Sequence, residues 1–143
     1  MTNEFGTTVD LPLRPSLRGL IWVYALHVAC LILLLLAQPP TTVMVGFAAV
    51  FGVSWFSVRR HPLFGHGPKA IKRIVWHADG GWTLHRGNGQ TAEAVLANES
   101  IVRGPVLLLR FSIDGAPSAS RLICGDELPA ESLRQLRARL SVA

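Results

Sequence analysis

The chain has 143 residues, of which 50% are hydrophobic and only 16% charged, yet its net charge is +5. This length allows one domain of ordinary size, and so apolar a composition is typical of a membrane protein rather than a small soluble one. The charge is local, because residues 11–78 hold seven basic residues and no acidic one, whereas residues 79–143 hold seven of each. A nucleic-acid-binding domain carries its basic charge on its folded surface. The neutral second half therefore predicts no nucleic-acid partner.

Two uncharged runs lie inside the basic block. Residues 19–37 contain His27 as their polar side chain, and as a helix they would span roughly 28 Å, close to the thickness of a bilayer core. Residues 41–58 form the second run, and Pro39 and Pro40 lie between the two. Prolines end one helix and open the next, so the short link predicts an antiparallel transmembrane hairpin. A signal peptide would have a shorter apolar core, and buried helices of a soluble protein would each have a polar face.

Basic residues flank the outer ends of this hairpin, and none lies in its turn. The positive-inside rule therefore places both termini in the cytoplasm and the turn outside. Trp22 and Tyr24 in the first span and Trp55 and Phe56 in the second would meet at the cytoplasmic interface. Cations near a membrane surface attract anionic lipid headgroups at about 1 kcal/mol each. The cations predicted to contact the membrane surface are Arg14, Arg18, Arg59, Arg60, Lys69, Lys72 and Arg73.

The sequence beyond the hairpin has the pattern of a small β-domain. Residues 1–18 are predicted as a cytoplasmic arm and residues 59–70 as a juxtamembrane linker, after which apolar residues alternate with polar ones. Period-two alternation interrupted by Gly, Asn and Asp is typical of short antiparallel strands. We therefore predict an antiparallel sheet or half-barrel of five or six strands with a C-terminal helix over residues 71–143. The predicted strands lie near residues 74–76, 82–84, 91–97, 106–113 and 119–124, and the helix at residues 129–140.

The titratable side chains form no catalytic or metal-ligating pattern in the sequence. Cys30 lies within the first span and Cys124 in a predicted strand, so the two cannot pair, and both are expected to be apolar fillers. The five histidines lack the spacing of metal ligands, and His77 and His85 would at most face each other across the first β-hairpin. No nucleophile, acid–base pair or phosphate-binding loop is recognisable. We predict no metal, no cofactor and no enzymatic activity.

His27 has two interpretations. A polar residue within a span is often a proton or ligand site. Alternatively, a neutral imidazole bonded to Ser54 or to a backbone carbonyl would fix the packing of the helices, and we favour this because neither span holds an acid or a base. Ala48 and Gly52 form a small-residue pair that predicts close helix approach, either within the hairpin or between copies in a homo-oligomer.

Several features combine into one pattern along the chain: Ser16 before the first span, His27 within it, Pro39 in the turn, and Arg59 and Arg60 after the second span. The β-domain adds Gly81-Trp82-x-Leu84, Leu107–Arg110, Arg121–Asp126 and Leu133–Arg137. This pattern resembles the YgfX family, also called the CptA-type toxin family, of small bacterial inner-membrane proteins. The match covers nearly the whole chain and includes no catalytic motif. Two departures from the family pattern are Leu133, where many relatives have Trp, and a relatively long N-terminal arm.

The resemblance implies a membrane-anchored, protein-binding toxin of a toxin–antitoxin pair. Its implied partners are a small soluble SdhE-type protein and the cytoskeletal proteins FtsZ and MreB, and hence its implied effect is on cell division. Two residues that could bind partners have a structural alternative: Asp126 as a cap of the final helix, and Trp82 as a core side chain. The alternative function is a lipid-sensing or accessory subunit of a larger membrane complex. The residues expected to bind partners are Trp82, Arg110, Asp126, Arg134 and Arg137.

Overall fold

The computed structural model of the protein describes residues 7–141, which form two long helices, an antiparallel sheet and a third helix. A single 3₁₀ turn, Pro62–Phe64, lies between the second helix and the main part of the sheet. The first and last residues of the predicted arm and β-domain, 1–6 and 142–143, lie outside the described residues. The elements are β1 (Val9–Pro12), α1 (Leu17–Ala37), α2 (Thr41–Arg59), β2 (Ile71–Trp76), β3 (Trp82–Arg86), β4 (Thr91–Leu96), β5 (Ile101–Arg103), β6 (Val106–Ile113), β7 (Ala116–Ile123) and α3 (Ala130–Leu140).

The two long helices form the predicted hairpin. Gln38 ends α1 in the left-handed conformation with φ 46°, and Pro40 precedes α2. Tyr24 stacks on Trp55 with 3.8 Å between ring centroids, so one aromatic residue of each span meets the other. Both helices are long and apolar enough to cross a membrane, with mean hydropathies of 2.6 and 1.7. Only 6% of the apolar stretch of α1 and 0% of that of α2 are buried, whereas a core helix of a soluble protein would be mostly buried.

The sheet is an antiparallel half-barrel, as predicted. Within residues 7–141 its strands follow the order β1-β2-β3-β4-β6-β5, and β7 pairs with the other edge of β6. β4 and β5 both pair with the same edge of β6. Leu96 of β4 lies opposite Phe111, and Ile101 of β5 lies opposite Leu108. α3 packs Leu136 into the hydrophobic core formed by the sheet.

Two strands of the sheet were not predicted from the sequence. β1 belongs to the N-terminal arm and pairs with β2, which places Leu11 opposite Ile74 with both side chains fully buried. β5 is three residues long, and all three are exposed. Strands this short carry too few residues for an alternating pattern to be recognised. β1 also ends at a proline, which donates no ladder hydrogen bond.

The hydrophobic core lies between the sheet and α3. Alternation along β6 buries Leu107, Leu109, Phe111 and Ile113, as the period-two pattern predicted. The final helix also turns an apolar face to the core, since Leu136 is buried and Leu133 and Leu140 are partly buried against it. The remaining core side chains include Leu11, Leu13, Ile71, Ile74, Trp82, Leu84, Ala94, Ile123 and Leu128.

Candidate functional site

The N-terminus of α1 lies against the loop between β7 and α3. Asp126 Oδ2 accepts hydrogen bonds from the backbone N–H groups of Leu17 at 2.9 Å and Arg18 at 3.0 Å. Ser16 Oγ accepts one from Gly19 N–H at 3.1 Å and lies 3.4 Å from Asp126 Oδ1. Two side chains thus satisfy three of the four N–H groups that a helix start leaves unpaired.

This arrangement corrects the suggestion that Asp126 caps the final helix. Helix α3 instead begins after Pro129, which provides no side-chain cap. Partial burial disfavours the charged form of Asp126, but the backbone N–H groups of Arg18, Asp126 and Leu17 favour it more strongly and hold its pKa below the usual value. A negative charge is also favoured at the positive end of the α1 dipole. Asp126 therefore ties the β-domain to the first span.

A second acid closes the loop beside Asp126. Glu127 is buried, and its carboxylate accepts backbone hydrogen bonds from Cys124, Gly125 and Asp126 at 2.9–3.1 Å. A carboxylate that accepts several N–H bonds is well compensated for its burial. Burial raises the pKa of the neighbouring Cys124 thiol, which agrees with its expected part as an apolar filler. The loop is thus held by its own backbone.

A buried arginine links this loop to the linker. Arg121 is fully buried, and its Nη2 donates to the Arg14 carbonyl at 2.6 Å. Burial lowers the pKa of Arg121, and the charges of Glu127 and Asp126 oppose this shift. The guanidinium packs directly on Gly65, where a Cβ would overlap it. An arginine stays charged in proteins, and here one hydrogen bond and the nearby charges of Glu127 and Asp126 offset part of the cost of its burial. Its buried Nε and Nη1 have no hydrogen-bond partner among the described residues.

Backbone hydrogen bonds complete the connection. Ser16 N–H donates to the Phe64 carbonyl at 2.8 Å, and Arg14 N–H donates to the Glu127 carbonyl at 3.1 Å. Gly65 adopts φ 84° and its carbonyl accepts from Lys72 Nζ at 2.8 Å. We call this region the joint. It comprises residues 14–19, 62–65, 121 and 124–127.

His27 makes both of the contacts anticipated for a packing role. Its Nε2 lies 2.9 Å from Ser54 Oγ, and its Nδ1 lies 2.7 Å from the Val23 carbonyl. A carbonyl only accepts, so Nδ1 donates to Val23 and, in the neutral ring, Nε2 accepts from the Ser54 hydroxyl. A Cβ on Gly52 would have no neighbour within 4 Å, so the small-residue pair is not a close contact between α1 and α2. Approach between copies stays a prediction.

The seven predicted membrane-surface cations fall into two groups. Lys72 donates to the Gly65 carbonyl, and Arg73 pairs with Asp10, whose pKa it lowers through their hydrogen bonds. Arg60 lies over the Phe56 ring at 4.3 Å from its centroid. Six of the seven are exposed: Arg73, which pairs with Asp10, and the five residues Arg14, Arg18, Arg59, Arg60 and Lys69.

The five residues expected to bind partners do not form one surface. Trp82 is 3% exposed and stacks on Trp76 with 4.3 Å between centroids, so it belongs to the core. Arg110 and Arg134 are exposed but paired with Glu99 and Glu131. Asp126 lies in the joint, and Arg137 is partly buried with an unpartnered, buried Nε. Their contact with partners stays a prediction.

The structure separates His77 from His85, which were expected at most to face each other across the first β-hairpin. His77 lies 2.6 Å from Thr83 Oγ1, whereas His85 lies opposite Arg73 and beside Thr91, so the two histidines do not face each other. The β2–β3 turn shifts His77 beyond the paired residues. Within residues 7–141, no group of three or more His, Cys, Asp or Glu side chains is placed to hold a metal ion.

Sequence reasoning missed an open cavity at the end of the half-barrel. It has a volume of about 480 Å³, and we call it the mouth. Val95 and Val102 in its wall are 68% and 47% exposed. An adjoining cavity, the acidic shelf, is lined by Asp79, Glu93 and Asp114 and shares Trp82 and Val95 with the mouth. The apolar side chains of the mouth are Trp76, Trp82, Val95, Leu96, Val102 and Leu140.

Comparison with protein families identifies the chain. A family model described as the membrane-bound toxin component of a toxin–antitoxin system matches residues 7–143. The chain belongs to this family of toxins. Searches of curated proteins and of solved structures found no match to it.

Family membership confirms the resemblance seen in the sequence, and it establishes where this toxin is located and what kind of partner it has. The toxin is membrane-bound, and α1 and α2 are its candidate spans. A toxin of such a system has an antitoxin partner. The joint therefore lies where a membrane-bound helix meets the folded β-domain.

Proposed function

We propose that this toxin acts by binding proteins with its half-barrel at the cytoplasmic face of the bacterial inner membrane, and not by catalysis. The observation that carries the proposal is the joint. Asp126 and Ser16 cap the first turn of α1, so the β-domain is fastened to the span rather than suspended from a flexible linker. A domain fastened in this way presents one surface at a constant height above the lipid. That arrangement suits the capture of proteins that assemble at the membrane.

The cations support the cytoplasmic orientation. Five basic side chains are exposed around the outer ends of the two helices, and the Gln38–Pro40 turn at the opposite end carries none. Loops rich in Lys and Arg remain in the cytoplasm during insertion. Both termini and the half-barrel are therefore proposed to be cytoplasmic.

The proposed partners are an SdhE-type antitoxin and the cytoskeletal proteins FtsZ and MreB. Family membership supports the antitoxin, and the resemblance to the YgfX family supports all three. By this proposal the toxin impairs cell division and cell shape by holding cytoskeletal proteins, and the antitoxin relieves the effect.

A binding experiment tests this proposal directly. The full-length toxin is placed in lipid nanodiscs and titrated separately with purified SdhE-type protein, FtsZ and MreB, with empty nanodiscs as the background. We expect saturable binding of the antitoxin and of at least one cytoskeletal protein. The proposal fails if none of the three binds the full chain.

Lipid sensing is the second candidate, and the exposed cations with Arg60 over Phe56 favour it. Replacing Arg59, Arg60 and Lys69 by Gln would then reduce the number of phosphatidylglycerol molecules retained in native mass spectrometry. Lys72→Gln and Arg73→Gln are matched controls, because both side chains already have protein partners. If replacing Arg59, Arg60 and Lys69 lowers lipid retention but leaves protein binding unchanged, the lipid contact only anchors the toxin, and lipid sensing is not its function.

A further inference from the structure

We propose that the mouth is a docking site for an extended segment of a partner protein that presents apolar side chains next to lysine or arginine. This inference rests on the proposed protein-binding function and names the surface that carries it. Three independent features of the structure support it: exposed apolar side chains, an unpaired strand edge and uncommitted acidic groups.

The mouth is a concave apolar surface. The stacked indoles of Trp76 and Trp82 form part of its wall, and Leu140 of α3 contributes another part. Val102 of β5 is 47% exposed. Val95 is 68% exposed and also lines the mouth, although it alternates with the buried Ala94 along β4 and so points away from the core. Contiguous exposed apolar surface in a concave setting is typical of binding sites.

The register of β5 shows which way its side chains point. Val102 lies directly opposite Leu107, and residues directly opposite in an antiparallel pair share one face of the sheet. Leu107 is fully buried in the core, so Val102 also points to the concave side. It is nevertheless 47% exposed, because nothing in residues 7–141 covers that part of the mouth.

β5 also offers backbone hydrogen bonds. Its one strand neighbour in the described part of the chain is β6, so its other edge has no strand partner there. Unpaired edges accept extended peptides as additional strands, and alternate side chains of such a peptide then enter the neighbouring pockets. A segment added along Ile101–Arg103 would direct alternate side chains toward the mouth.

Charge determines what kind of segment fits. Of the acids in residues 7–141, Asp10, Glu99 and Glu131 pair with arginines, whereas Asp126 and Glu127 accept backbone N–H bonds in the joint. The remaining three all line the acidic shelf, and Asp79 bonds only within its own turn, to Gly81 N–H. No ion pair holds these three acids, so a basic segment is the complementary partner. The remaining acids are Asp79, Glu93 and Asp114.

The test uses the full-length toxin in zwitterionic nanodiscs and two fluorescein-labelled ten-residue peptides. One peptide alternates Val with Lys, the other Val with Glu, and empty nanodiscs give the background anisotropy. We expect the Lys peptide to bind at least tenfold more tightly than the Glu peptide. Val102→Asp and the combined variant Asp79→Asn, Glu93→Gln, Asp114→Asn should each weaken the Lys peptide at least tenfold.

Glu99→Gln is the matched control, because Glu99 lies in the bend before β5 but pairs with Arg110. It should change the affinity less than twofold. Val95→Asp serves as a second apolar variant at a more exposed position, and near-ultraviolet circular dichroism checks that every variant is folded. Equal affinity for the two peptides overturns the inference, as do unchanged affinities in the folded variants. A disulfide-linked dimer of a Val102→Cys variant that forms quantitatively would also overturn it in favour of a second copy.

Parallel titration with the SdhE-type protein separates this inference from the proposed function. If the antitoxin binds wild type and Val102→Asp equally well, the docking site is wrong and the protein-binding function stands. If neither the antitoxin nor a cytoskeletal protein binds wild type, the proposed function fails whatever the peptides do.

Discussion

The joint and the mouth belong to the same small domain but use their polar groups in opposite ways. In the joint, Asp126 and Glu127 are satisfied by backbone N–H groups, and the buried Arg121 donates to a carbonyl. In the mouth and its acidic shelf, the carboxylates have no cationic partner within residues 7–141, and Val95 and Val102 are exposed. The comparison teaches that a charged residue in a distinctive motif can be fully used by the fold. Residues available to a partner lie instead in an inconspicuous part of the sequence.

The largest expected effect lies in the joint at Gly65. Gly65→Ala forces a Cβ into the Arg121 guanidinium at φ 84°, so we expect a loss of about 3 kcal/mol in the free energy of unfolding. Gly89 has φ 83° with open space around it, and Gly89→Ala should cost only about 1 kcal/mol. Urea unfolding of both variants in nanodiscs measures the difference. Equal losses would mean that Arg121 moves aside freely.

The next effect is the loss of the cap on α1. Asp126→Ala removes the acceptor for two N–H groups and should cost about 1–2 kcal/mol. Hydrogen exchange at Leu17 and Arg18 should accelerate at the same time. Glu131→Ala removes an exposed ion pair of α3 and is expected to leave stability unchanged within error. If both variants behave alike, Asp126 does not fasten the domain.

The joint should also respond to acid. The folded-state pKa of Asp126 lies below its unfolded value, so its stabilisation is present above about pH 4 and is lost as pH falls through the lower, folded-state pKa. Asp126→Asn cannot titrate, so the stability difference between wild type and this variant should shrink across that window. Thermal unfolding from pH 6 to pH 2.5 measures it. A constant difference would contradict the ionic cap.

The smallest effect on stability is expected at the acidic shelf. Asp79→Asn and Glu93→Gln remove charges that form no ion pair with any described residue, so unfolding free energies should change by less than about 0.5 kcal/mol. Urea unfolding under the conditions used for the joint variants provides the measurement. A loss comparable to that of Asp126→Ala would show that the shelf is a structural feature and would remove the contrast with the joint.

Much of the fold could be predicted because periodicity and charge act locally. Uninterrupted apolar runs, two prolines and flanking arginines suffice to predict a hairpin, and the alternation around Leu107–Ile113 suffices to predict a strand with a buried face. The short strands β1 and β5 were missed because they exist only through pairing with distant segments. Asp126 was expected to bind partners or to cap the final helix, and the structure instead places it at the start of α1, where it caps a helix that begins 109 residues earlier in the chain.

The sequence by itself determined that this toxin has two apolar helices with basic residues at their outer ends, followed by a β-rich domain. These properties follow from composition and short-range pattern, which tertiary contacts leave unchanged. Only the tertiary structure decided which charges are engaged and which remain open. The reason is that a hydrogen-bond partner is defined by distance in space. Asp126 lies at the start of α1 and Arg121 at the Arg14 carbonyl, whereas Asp79, Glu93 and Asp114 have no ion-pair partner in the part of the chain that the structure describes.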